Sequence, residues 1–359
     1  MKAIILAGGG GTRLWPVSRS IRPKQVVSVI GSTTLLAATF ARLRKGFAAK
    51  DILVSTSEEN REAVRVALPA LPPANLIAEP CRRETAAAIG FALAHIARRA
   101  PDETFVTINA DAYVRDVPAY HRAIRAAEAA VLAKPDRTAL VGIEPTYPET
   151  GYGYMKIGRR LRLAGAGEAY EVERFVEKPD LVTAARYFQE GGYLWNPTLV
   201  VGKVRHFLGL YDKHLPEHAA RLKAIAAALG RPGAEQVIRR QFSRIPPVSI
   251  DYGILEKESG LMAVKAEFGW ADVGNWRTVR EILARKPDDN VVRGLHVGVD
   301  SNRNLIVSSS GKLVATAGVS DMVIVETADA ILVCPQDRAH DVKKLVATIK
   351  GKRGLRKYL

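Results

Sequence analysis

The sequence contains only two cysteines, Cys81 and Cys334, and they lie far apart in the chain. Neither belongs to a C-x-x-C pair or to a Cys/His cluster, which argues against a disulfide framework and against a zinc site. The seven histidines are scattered and form no ligand or relay pattern. We therefore expect reduced thiols and no catalytic histidine.

Long apolar runs are also absent. The N-terminal run AIILA has five residues and ends at four glycines, so it fits neither a signal peptide nor a membrane span. No later stretch approaches the roughly 18 uncharged apolar residues that a transmembrane helix needs. These absences predict a soluble, cytoplasmic protein that has no membrane partner.

Acidic residues are in the minority, since 53 basic residues against 37 acidic ones give a formal charge of +16. Such a charge predicts attraction to anions, which include nucleic acids and small phosphorylated substrates. The sequence has no aromatic-interleaved basic stripe and no recognisable nucleic-acid module, so no nucleic-acid partner is expected. The dense basic cluster 350–357 is expected to be an exposed tail that aids solubility, with a binding arm as the alternative.

Short β-branched runs alternate with alanine-rich stretches of helical spacing in the first half of the chain. The runs KAIILA, ILVSTS, TFVTINAD and TALVGI predict strands, and Thr85–Arg99 and Ala119–Ala133 predict helices. This alternation predicts a doubly wound α/β domain with a mostly parallel sheet, which binds ligands at the carboxyl ends of its strands. For the domain as a whole we predict a Rossmann-like sheet that is mixed in direction. Strands are also predicted at 154–158, 169–179, 199–204 and 261–274, and helices at Leu181–Gln189, Val204–Leu210 and His218–Leu229.

From Asp289 onwards the pattern changes to short strands at close spacing, followed by one amphipathic helix, Asp337–Ile349. We therefore predict a large domain over residues 1–288 and a small β-rich domain over 289–359 that ends in a helix and the basic tail. The junction is predicted at KPDDN, residues 286–290.

The glycines Gly8–Gly11 follow the first predicted strand. They match neither a Walker loop, because Thr12 and Arg13 follow them, nor the G-x-G-x-x-G dinucleotide fingerprint. A glycine-rich loop at the end of a strand can still form a nest of N–H groups for a polyphosphate. Arg13 and Lys24 would supply cations for phosphate oxygens. A tight turn with no ligand is the alternative.

The phrase LAGGGGTRLWPVSRSIRPKQ resembles the signature of sugar-nucleotide pyrophosphorylases, L-A-G-G-x-G-T-R-L-x-P…P-K. Its continuation WPVSR…PKQ is similar to the mannose-1-phosphate guanylyltransferase branch of that family. Seven further segments match family motifs in collinear order within residues 1–280: EPCRRETAAAIGFA, NADAYV, TGYGYMKIG, VERFVEKP, LWNPTLVV, SIDYGILEK and GWADVGNW.

The resemblance implies a GT-A-like nucleotidyltransferase domain followed by a left-handed β-helical domain. It also implies a Mg²⁺-dependent enzyme that joins GTP to mannose 1-phosphate and releases pyrophosphate, and it leads us to expect a homodimer. A thymidylyl- or uridylyltransferase acting on glucose 1-phosphate is one alternative, and a non-catalytic sugar-nucleotide sensor is another. No isomerase-like cupin domain is expected within the 359 residues.

The resemblance also assigns residues. The implied catalytic residues are Arg13, Lys24, Asp111, Lys178 and Asp272. The implied nucleotide-binding residues are Leu6, Ala7, Gly8, Gly9, Gly10, Gly11, Thr12, Arg13, Lys24, Glu79, Pro80, Arg83, Thr85 and Asp111. The implied sugar-phosphate-binding residues are Gly151, Tyr152, Gly153, Glu177, Lys178, Asn196 and Asp251. The sequence departs from the family motifs at Glu84, Asn109, Ala112 and Pro197–Thr198.

Three of these assignments have plain structural alternatives. Asp111 and Asp272 would form an oxygen-only Mg²⁺ site if the fold brings them together, but their spacing equally allows them to cap a turn and a helix beginning near Asn275. Glu177 and Lys178 can also be an ordinary surface pair at a strand end. The charged residues 82–84 can simply be the first turn of the following helix.

Overall fold

The computed structural model describes residues 1–9, 11–19 and 24–359. Packing divides the chain into two compact units. The first unit comprises Met1–Gly8, Ala41–Ala110 and Val114–Trp270, and the second comprises Gly9–Phe40, Asp111–Tyr113 and Ala271–Leu359. The domain boundary predicted between residues 288 and 289 stays a prediction. Gly10, one of the predicted nucleotide ligands, and Pro23 of the motif lie outside the described residues.

The described residues form short strands and helices in frequent alternation. The strands are β1 (Lys2–Leu6), β2 (Ile52–Ser57), β3 (Leu76–Glu79), β4 (Thr104–Asn109), β5 (Ala112–Val114), β6 (Thr138–Ile143), β7 (Gly153–Leu161), β8 (Ala169–Glu177), β9 (Tyr193–Asn196), β10 (Val200–Lys203), β11 (Leu261–Ala266), β12 (Trp270–Asp272), β13 (Val291–Arg293), β14 (Leu295–Val299), β15 (Leu305–Ser308), β16 (Leu313–Ala317), β17 (Met322–Glu326) and β18 (Ile331–Pro335). The α-helices are α1 (Leu35–Leu43), α2 (Arg61–Ala67), α3 (Glu84–Ala97), α4 (Val117–Ala133), α5 (Leu181–Glu190), α6 (Val204–His214), α7 (Pro216–Ala228), α8 (Ala234–Phe242), α9 (Trp276–Leu283) and α10 (Val342–Gly351).

The first unit is built on a ten-stranded sheet with the order β11-β8-β7-β9-β6-β10-β4-β1-β2-β3, in which β11 also pairs with β6. Strands β4, β1, β2 and β3 run parallel, whereas β7 pairs antiparallel with both β8 and β9. The predicted mixed α/β sheet is therefore confirmed. The parallel strands β1, β2 and β4 are almost entirely buried, as expected for strands that are covered on both faces.

Helix α3 shows how the alanine-rich sequence serves this unit. Ten of its fourteen residues are buried, so it is apolar around most of its circumference and lies inside the core. Phe91 of α3 contacts Phe242, and the hydroxyl of Tyr211 donates to the carbonyl of Ala86 over 2.7 Å. The small alanine side chains allow neighbouring helices to pack closely around α3.

The C-terminal part of the second unit is β-rich, as predicted. Strands β13, β15 and β17 pair in parallel, and β14 pairs in parallel with β16. The pairs Leu305/Val323, Leu295/Leu313 and Asn302/Ser320 each join residues that are 18 positions apart, so the chain passes through successive coils of similar length. The closing helix differs from the predicted one, because 336–341 is a 3₁₀-helix and α10 begins only at Val342.

Residues 353–358, at the end of the basic cluster, form a second short 3₁₀-helix. Within the described residues, no helix is long and apolar enough to cross a membrane.

Candidate functional site

The glycine-rich loop begins where β1 ends at Leu6. Gly11 has a φ of +55°, and a Cβ atom at this position would lie 2.4 Å from Cγ of Lys24. Both the left-handed backbone conformation and the short distance to the Lys24 side chain therefore require glycine at position 11. The side chain of Gln25 donates to the carbonyl of Gly9 over 3.1 Å, which ties the loop to the segment that carries Lys24. Thr12 and Arg13 form a short 3₁₀ turn after Gly11.

Lys24 lies at the centre of a charged cluster in the second unit. Its ammonium forms an ion pair with Asp111 and lies 3.9 Å from Oδ1 of Asp272 and 3.4 Å from the carbonyl of Val273. Burial by itself would lower the pKa of Lys24, but the two carboxylates outweigh it and raise this pKa above its ordinary value. The charge of Arg13, whose side chain is exposed, opposes them. Lys24, Asp111 and Asp272 are called the Lys24 cluster below.

The two aspartates reach Lys24 from segments that are far apart in the sequence. The amide of Val273 donates to the carbonyl of Asp111 over 3.3 Å, which holds the two segments side by side. The helix that follows Asp272 is capped by Asn275, whose Oδ1 accepts from the amide of Thr278 over 3.1 Å. The alternative in which Asp272 caps this helix is therefore wrong.

The carboxylates of the Lys24 cluster fit a hard divalent cation. Both are within ion-pair distance of one ammonium, and their side chains are 21% and 30% exposed, so a ligand can reach them. Among residues 1–9, 11–19 and 24–359, no group of three or more His, Cys, Asp or Glu side chains could hold a metal ion. Two carboxylates with the remaining oxygens supplied by substrate phosphates are typical of Mg²⁺.

The other predicted nucleotide ligands lie mostly in the first unit, around the ends of β1, β2 and β3. The amide of Ala7 donates to the carbonyl of Ser55 over 2.8 Å, and the hydroxyl of Ser55 donates to Glu79 over 2.9 Å. A Cβ atom on Gly8 would lie 3.6 Å from the Glu79 carboxylate. Burial raises the pKa of Glu79 to about 7, although the Ser55 hydrogen bond opposes the shift.

The segment after Glu79 and Pro80 leads into helix α3 and contains two further predicted nucleotide ligands. Helix α3 begins at Glu84, so Glu84 does belong to its first turn. Arg83 donates to the carbonyl of Ser243, and Thr85 accepts from the amide of Ile250 over 2.8 Å. These two predicted ligands therefore have protein partners, and their nucleotide contacts stay predictions.

Three of the predicted sugar-phosphate ligands lie on paired strands of the first unit: Gly153 on β7, Glu177 on β8 and Asn196 on β9. In the sheet register, Gly153 lies opposite both Glu177 and Asn196. A Cβ atom on Gly153 would lie 2.6 Å from Oε2 of Glu177 and 2.9 Å from the ring of Phe175. Glycine is therefore required here so that the Glu177 carboxylate can approach the neighbouring strand.

Lys178 follows β8 in a left-handed backbone conformation, with a φ of +50°. This conformation is uncommon for a residue other than glycine, and such backbone geometry is concentrated at functional sites. The amide of Lys178 donates to the carbonyl of Tyr152 over 3.1 Å, and its ammonium pairs with Glu177. The Lys178 side chain is nevertheless 54% exposed, so an anion can reach it.

Asp251 lies in a π-helical turn, Asp251–Leu255, and accepts from the side-chain amide of Asn196 over 3.1 Å. Burial and the charge of Glu177 raise the pKa of Asp251 to about 7, against the opposing charge of Lys178. Glu177, Lys178, Asn196 and Asp251 are called the Lys178 cluster below.

Sequence reasoning missed Glu256, which accepts from the amide of Glu177 over 2.7 Å. It holds the strand end immediately before the left-handed Lys178. The signal for it was present, because Glu256 lies in the SIDYGILEK segment, five residues after Asp251.

Tyr152, a predicted sugar-phosphate ligand, belongs to a group of four aromatic side chains beside the Lys178 cluster, whose other members are Tyr147, Trp195 and Trp270. Tyr147 and Tyr152 contact Trp195 with ring centroids 5.1 and 5.3 Å apart, and Tyr152 contacts Trp270 at 5.0 Å. The amide of Gly151 donates to Glu149 over 2.7 Å and sets the turn that leads to Tyr152.

The raised pKa of Asp251 predicts a pH-dependent stability. In the native state this carboxyl holds its proton up to about pH 7, whereas its ordinary pKa is about 3.9. The native state therefore binds more protons between these values, and the free energy of unfolding falls as pH rises through this window. We expect Asp251→Asn to remove this part of the fall, so that the variant gains stability relative to wild type between pH 4 and 7. The free energy of unfolding in urea, measured for both proteins at several pH values, tests this prediction.

The exposed carboxylate Asp300 supplies the control, because Asp300→Asn is expected to follow the wild-type curve. Identical pH dependence in wild type and Asp251→Asn would contradict the prediction.

Comparisons with known proteins agree with the fold. The sequence model of the nucleotidyl transferase family matches residues 2–288, and that of the MannoseP isomerase/GMP-like beta-helix domain matches residues 294–349. The chain is 35% identical to mannose-1-phosphate guanylyltransferase of Escherichia coli over 350 residues, which span 97% of this chain and 73% of the relative. It is 36% identical to the xanthan biosynthesis protein XanB of Xanthomonas campestris over 351 residues, with the same coverage.

Among solved structures, a Thermus thermophilus protein described as a mannose-1-phosphate geranyltransferase superposes with a TM-score of 0.87 at 33% identity. The match covers 97% of this chain and 99% of that protein.

Proposed function

Because the chain belongs to the nucleotidyl transferase family, we propose that it transfers a guanylyl group from GTP to α-D-mannose 1-phosphate, giving GDP-mannose and pyrophosphate. The names of its curated relatives support the choice of base and sugar. The observation that carries the reaction type is the Lys24 cluster, in which a buried ammonium and two reachable carboxylates converge. Such a set suits a polyphosphate bound together with a divalent cation.

Members of this family generally use a divalent metal, and we propose Mg²⁺, held by Asp111 and Asp272. When bound, the ion would neutralise charge on the triphosphate. Lys24 would then bind phosphate oxygens with its ammonium, and the exposed Arg13 would add a planar guanidinium. The N–H groups of the glycine loop would bind further oxygens.

The Lys178 cluster is proposed to bind the sugar phosphate. Lys178 supplies a positive charge for the phosphate, while Glu177, Asn196 and Asp251 supply oxygen and nitrogen atoms for hexose hydroxyls. The glycines of the TGYGY segment let a sugar approach the backbone of β7 closely. Of these side chains Lys178 is the one that lies largely in solvent, so the phosphate is expected to meet it first.

The chemistry needs no general base in the protein. At neutral pH the sugar phosphate is already an anion, and its oxygen attacks the α-phosphorus of GTP in line with the leaving group. The bond from the α-phosphorus to the bridging oxygen breaks, and pyrophosphate leaves with that electron pair. Two polyanions must meet, so the protein's task is to neutralise charge and to align the reactants.

Pyrophosphate release tests the proposal. Purified protein with GTP, mannose 1-phosphate and Mg²⁺ is expected to release pyrophosphate only when all three are present. A preference for dTTP or UTP with glucose 1-phosphate would overturn the assigned base and sugar. If no combination of nucleotide and sugar phosphate releases pyrophosphate, the result would favour the sugar-nucleotide sensor.

We also propose a homodimer that forms through one face of the β-rich region. Leu295, Val297 and Val299 of β14 and Leu313 of β16 are each more than half exposed, and neither strand contains a charged residue. Exposed apolar patches mark interaction surfaces. A second copy suits this face because, on a chain with a charge of +16, an uncharged patch brings no like charges together.

Sedimentation at micromolar concentration is expected to give a dimer for wild type and a monomer for Val297→Lys. Val66→Lys, at another exposed valine, is the matched control and is expected to stay dimeric. A wild-type monomer would contradict this proposal. The cytoplasmic location and the absence of nucleic-acid and membrane partners stay predictions.

A further inference from the structure

Trp15 lies within the core of the second unit, next to the turn that carries Arg13. Its side chain is only 7% exposed, and it belongs to one apolar cluster with residues of the C-terminal region. That cluster includes Val273 and Trp276 near Asp272, and Val342 and Ile349 of α10. The signature loop, the Asp272 segment and the last helix thus share a single core.

Three hydrogen bonds fix Trp15 itself. Its amide donates to the carbonyl of Thr12 over 3.2 Å, and its carbonyl accepts from the indole N–H of Trp276 over 2.9 Å. Its own indole N–H donates to the backbone carbonyl of Tyr358 over 2.8 Å. Residues 353–359, called the C-terminal segment below, therefore contact the signature loop through a partly buried, directional bond, although their side chains are mostly exposed.

Trp15 is close in sequence to residues that are proposed to bind the nucleotide and its metal ion. Arg13 precedes it by two positions, and Trp276 follows Asp272 by four. On its other side, the hydroxyl of Ser18 donates to the carbonyl of Gly11 over 2.5 Å, and Gly11 packs against the side chain of Lys24. A displacement of Trp15 would therefore be transmitted to both the cations and the Asp272 carboxylate.

We propose that Trp15 is a positioning residue through which the C-terminal segment holds Arg13 and the Lys24 cluster in place for the nucleotide. The proposal rests on the proposed function, since it assigns these residues to the nucleotide. It differs from the expectation that the basic C-terminus only aids solubility. The bond depends on a backbone carbonyl, so the identity of residue 358 matters less than the presence of the chain there.

A double-mutant cycle tests this proposal. Trp15→Phe keeps an aromatic ring but removes the N–H donor, and a chain that ends after Lys357 removes the acceptor. Loss of one hydrogen bond is worth about 0.5–1.5 kcal/mol, so each change is expected to lower kcat/KM for GTP by about two- to twelvefold. Because both remove the same bond, the double variant is expected to lose no more activity than the shortened chain alone, which also lacks the packing of Leu359. Lys357→Ala, which removes an exposed charge of the segment, is the control and should leave the kinetics unchanged.

The KM for mannose 1-phosphate separates positioning from general damage. The Lys178 cluster belongs to the other compact unit, so this KM is expected to change by less than about twofold in each variant. The proposal would be overturned if the losses in kcat/KM of the two single variants multiplied in the double variant. It would also be overturned if kcat/KM fell equally for GTP and for mannose 1-phosphate.

Amide hydrogen exchange provides a readout that does not depend on the reaction. In both variants, residues 11–19 and 24–27 are expected to exchange faster, while 170–178 keep wild-type protection. If wild type fails to react with GTP and mannose 1-phosphate, the proposed function is wrong, and exchange still tests the coupling. Unchanged exchange in residues 11–19 would overturn the coupling, whatever the activity.

Discussion

Replacing Asp111 by asparagine is expected to lower kcat by about a hundredfold or more. The substitution keeps the size of the side chain but removes one of the two carboxylates that converge on Lys24. A neutral amide is a weaker ligand for a hard cation, so the Mg²⁺ concentration for half-maximal activity is also expected to rise. Pyrophosphate release measured over a Mg²⁺ titration gives both quantities.

The control is Asp321→Asn, which removes an aspartate of the same unit that pairs with Arg303 outside the Lys24 cluster. Asp321 has a φ of +59°, which asparagine also tolerates, so the fold should be unaffected. Its activity and Mg²⁺ dependence are expected to match wild type. Wild-type kcat in Asp111→Asn would exclude this carboxylate from the reaction.

A second measurement separates lost chemistry from lost stability. In Asp111→Asn the buried ammonium of Lys24 loses its nearer carboxylate and keeps the more distant one of Asp272, and an undercompensated buried charge is destabilising. The variant is therefore expected to melt at a lower temperature than wild type. Adding Lys24→Gln should restore part of the melting temperature but none of the activity. If both recover together, the Asp111 effect is one of folding alone.

Local pattern was enough to predict much of the fold. Strands β2 and β6 coincide with the predicted runs 52–57 and 138–143, because a buried β-branched run is a property of neighbouring residues. The predicted strand at 261–274 was wrong in its length. The carbonyl of Phe268 accepts from the amides of Arg115 and Asp116 over 3.2 and 3.0 Å, which divides the run into β11 and β12. That contact joins segments about 150 residues apart, and no local pattern reports it.

The same limit applies to the candidate site. Family motifs identified Lys24, Asp111 and Asp272, but their convergence depends on the pairing between the segments that carry them. The bond from Trp15 to Tyr358 spans 343 positions and involves a backbone carbonyl, which no residue type encodes. The left-handed backbone of Lys178 was likewise not predictable, because its sequence position resembles an ordinary strand end.

The proposed role of the Lys178 cluster can be tested through the KM for mannose 1-phosphate. Lys178→Gln keeps a polar side chain with a hydrogen-bond donor, although a shorter one, and removes the positive charge. Hydrogen bonds to charged groups are worth about 1.5–3 kcal/mol, so the KM for mannose 1-phosphate is expected to rise by about ten- to a hundredfold. The KM for GTP is expected to stay within about twofold of wild type. Initial rates with each substrate varied in turn measure both constants.

Lys265→Gln is the matched control, because Lys265 also lies in the first unit and pairs with a carboxylate, Glu144, over 2.6 Å. It is expected to leave both KM values unchanged. Lys178 pairs with Glu177, so a purely structural role for that pair predicts a lower melting temperature with normal kinetics. A ligand role instead predicts the raised KM for mannose 1-phosphate whatever the change in melting temperature, because the buried carboxylate of Glu177 also loses its cationic partner in this variant. The unusual backbone of Lys178 then has a functional reason: it leaves the ammonium beside Glu177 while more than half of the side chain stays exposed, where a phosphate can bind.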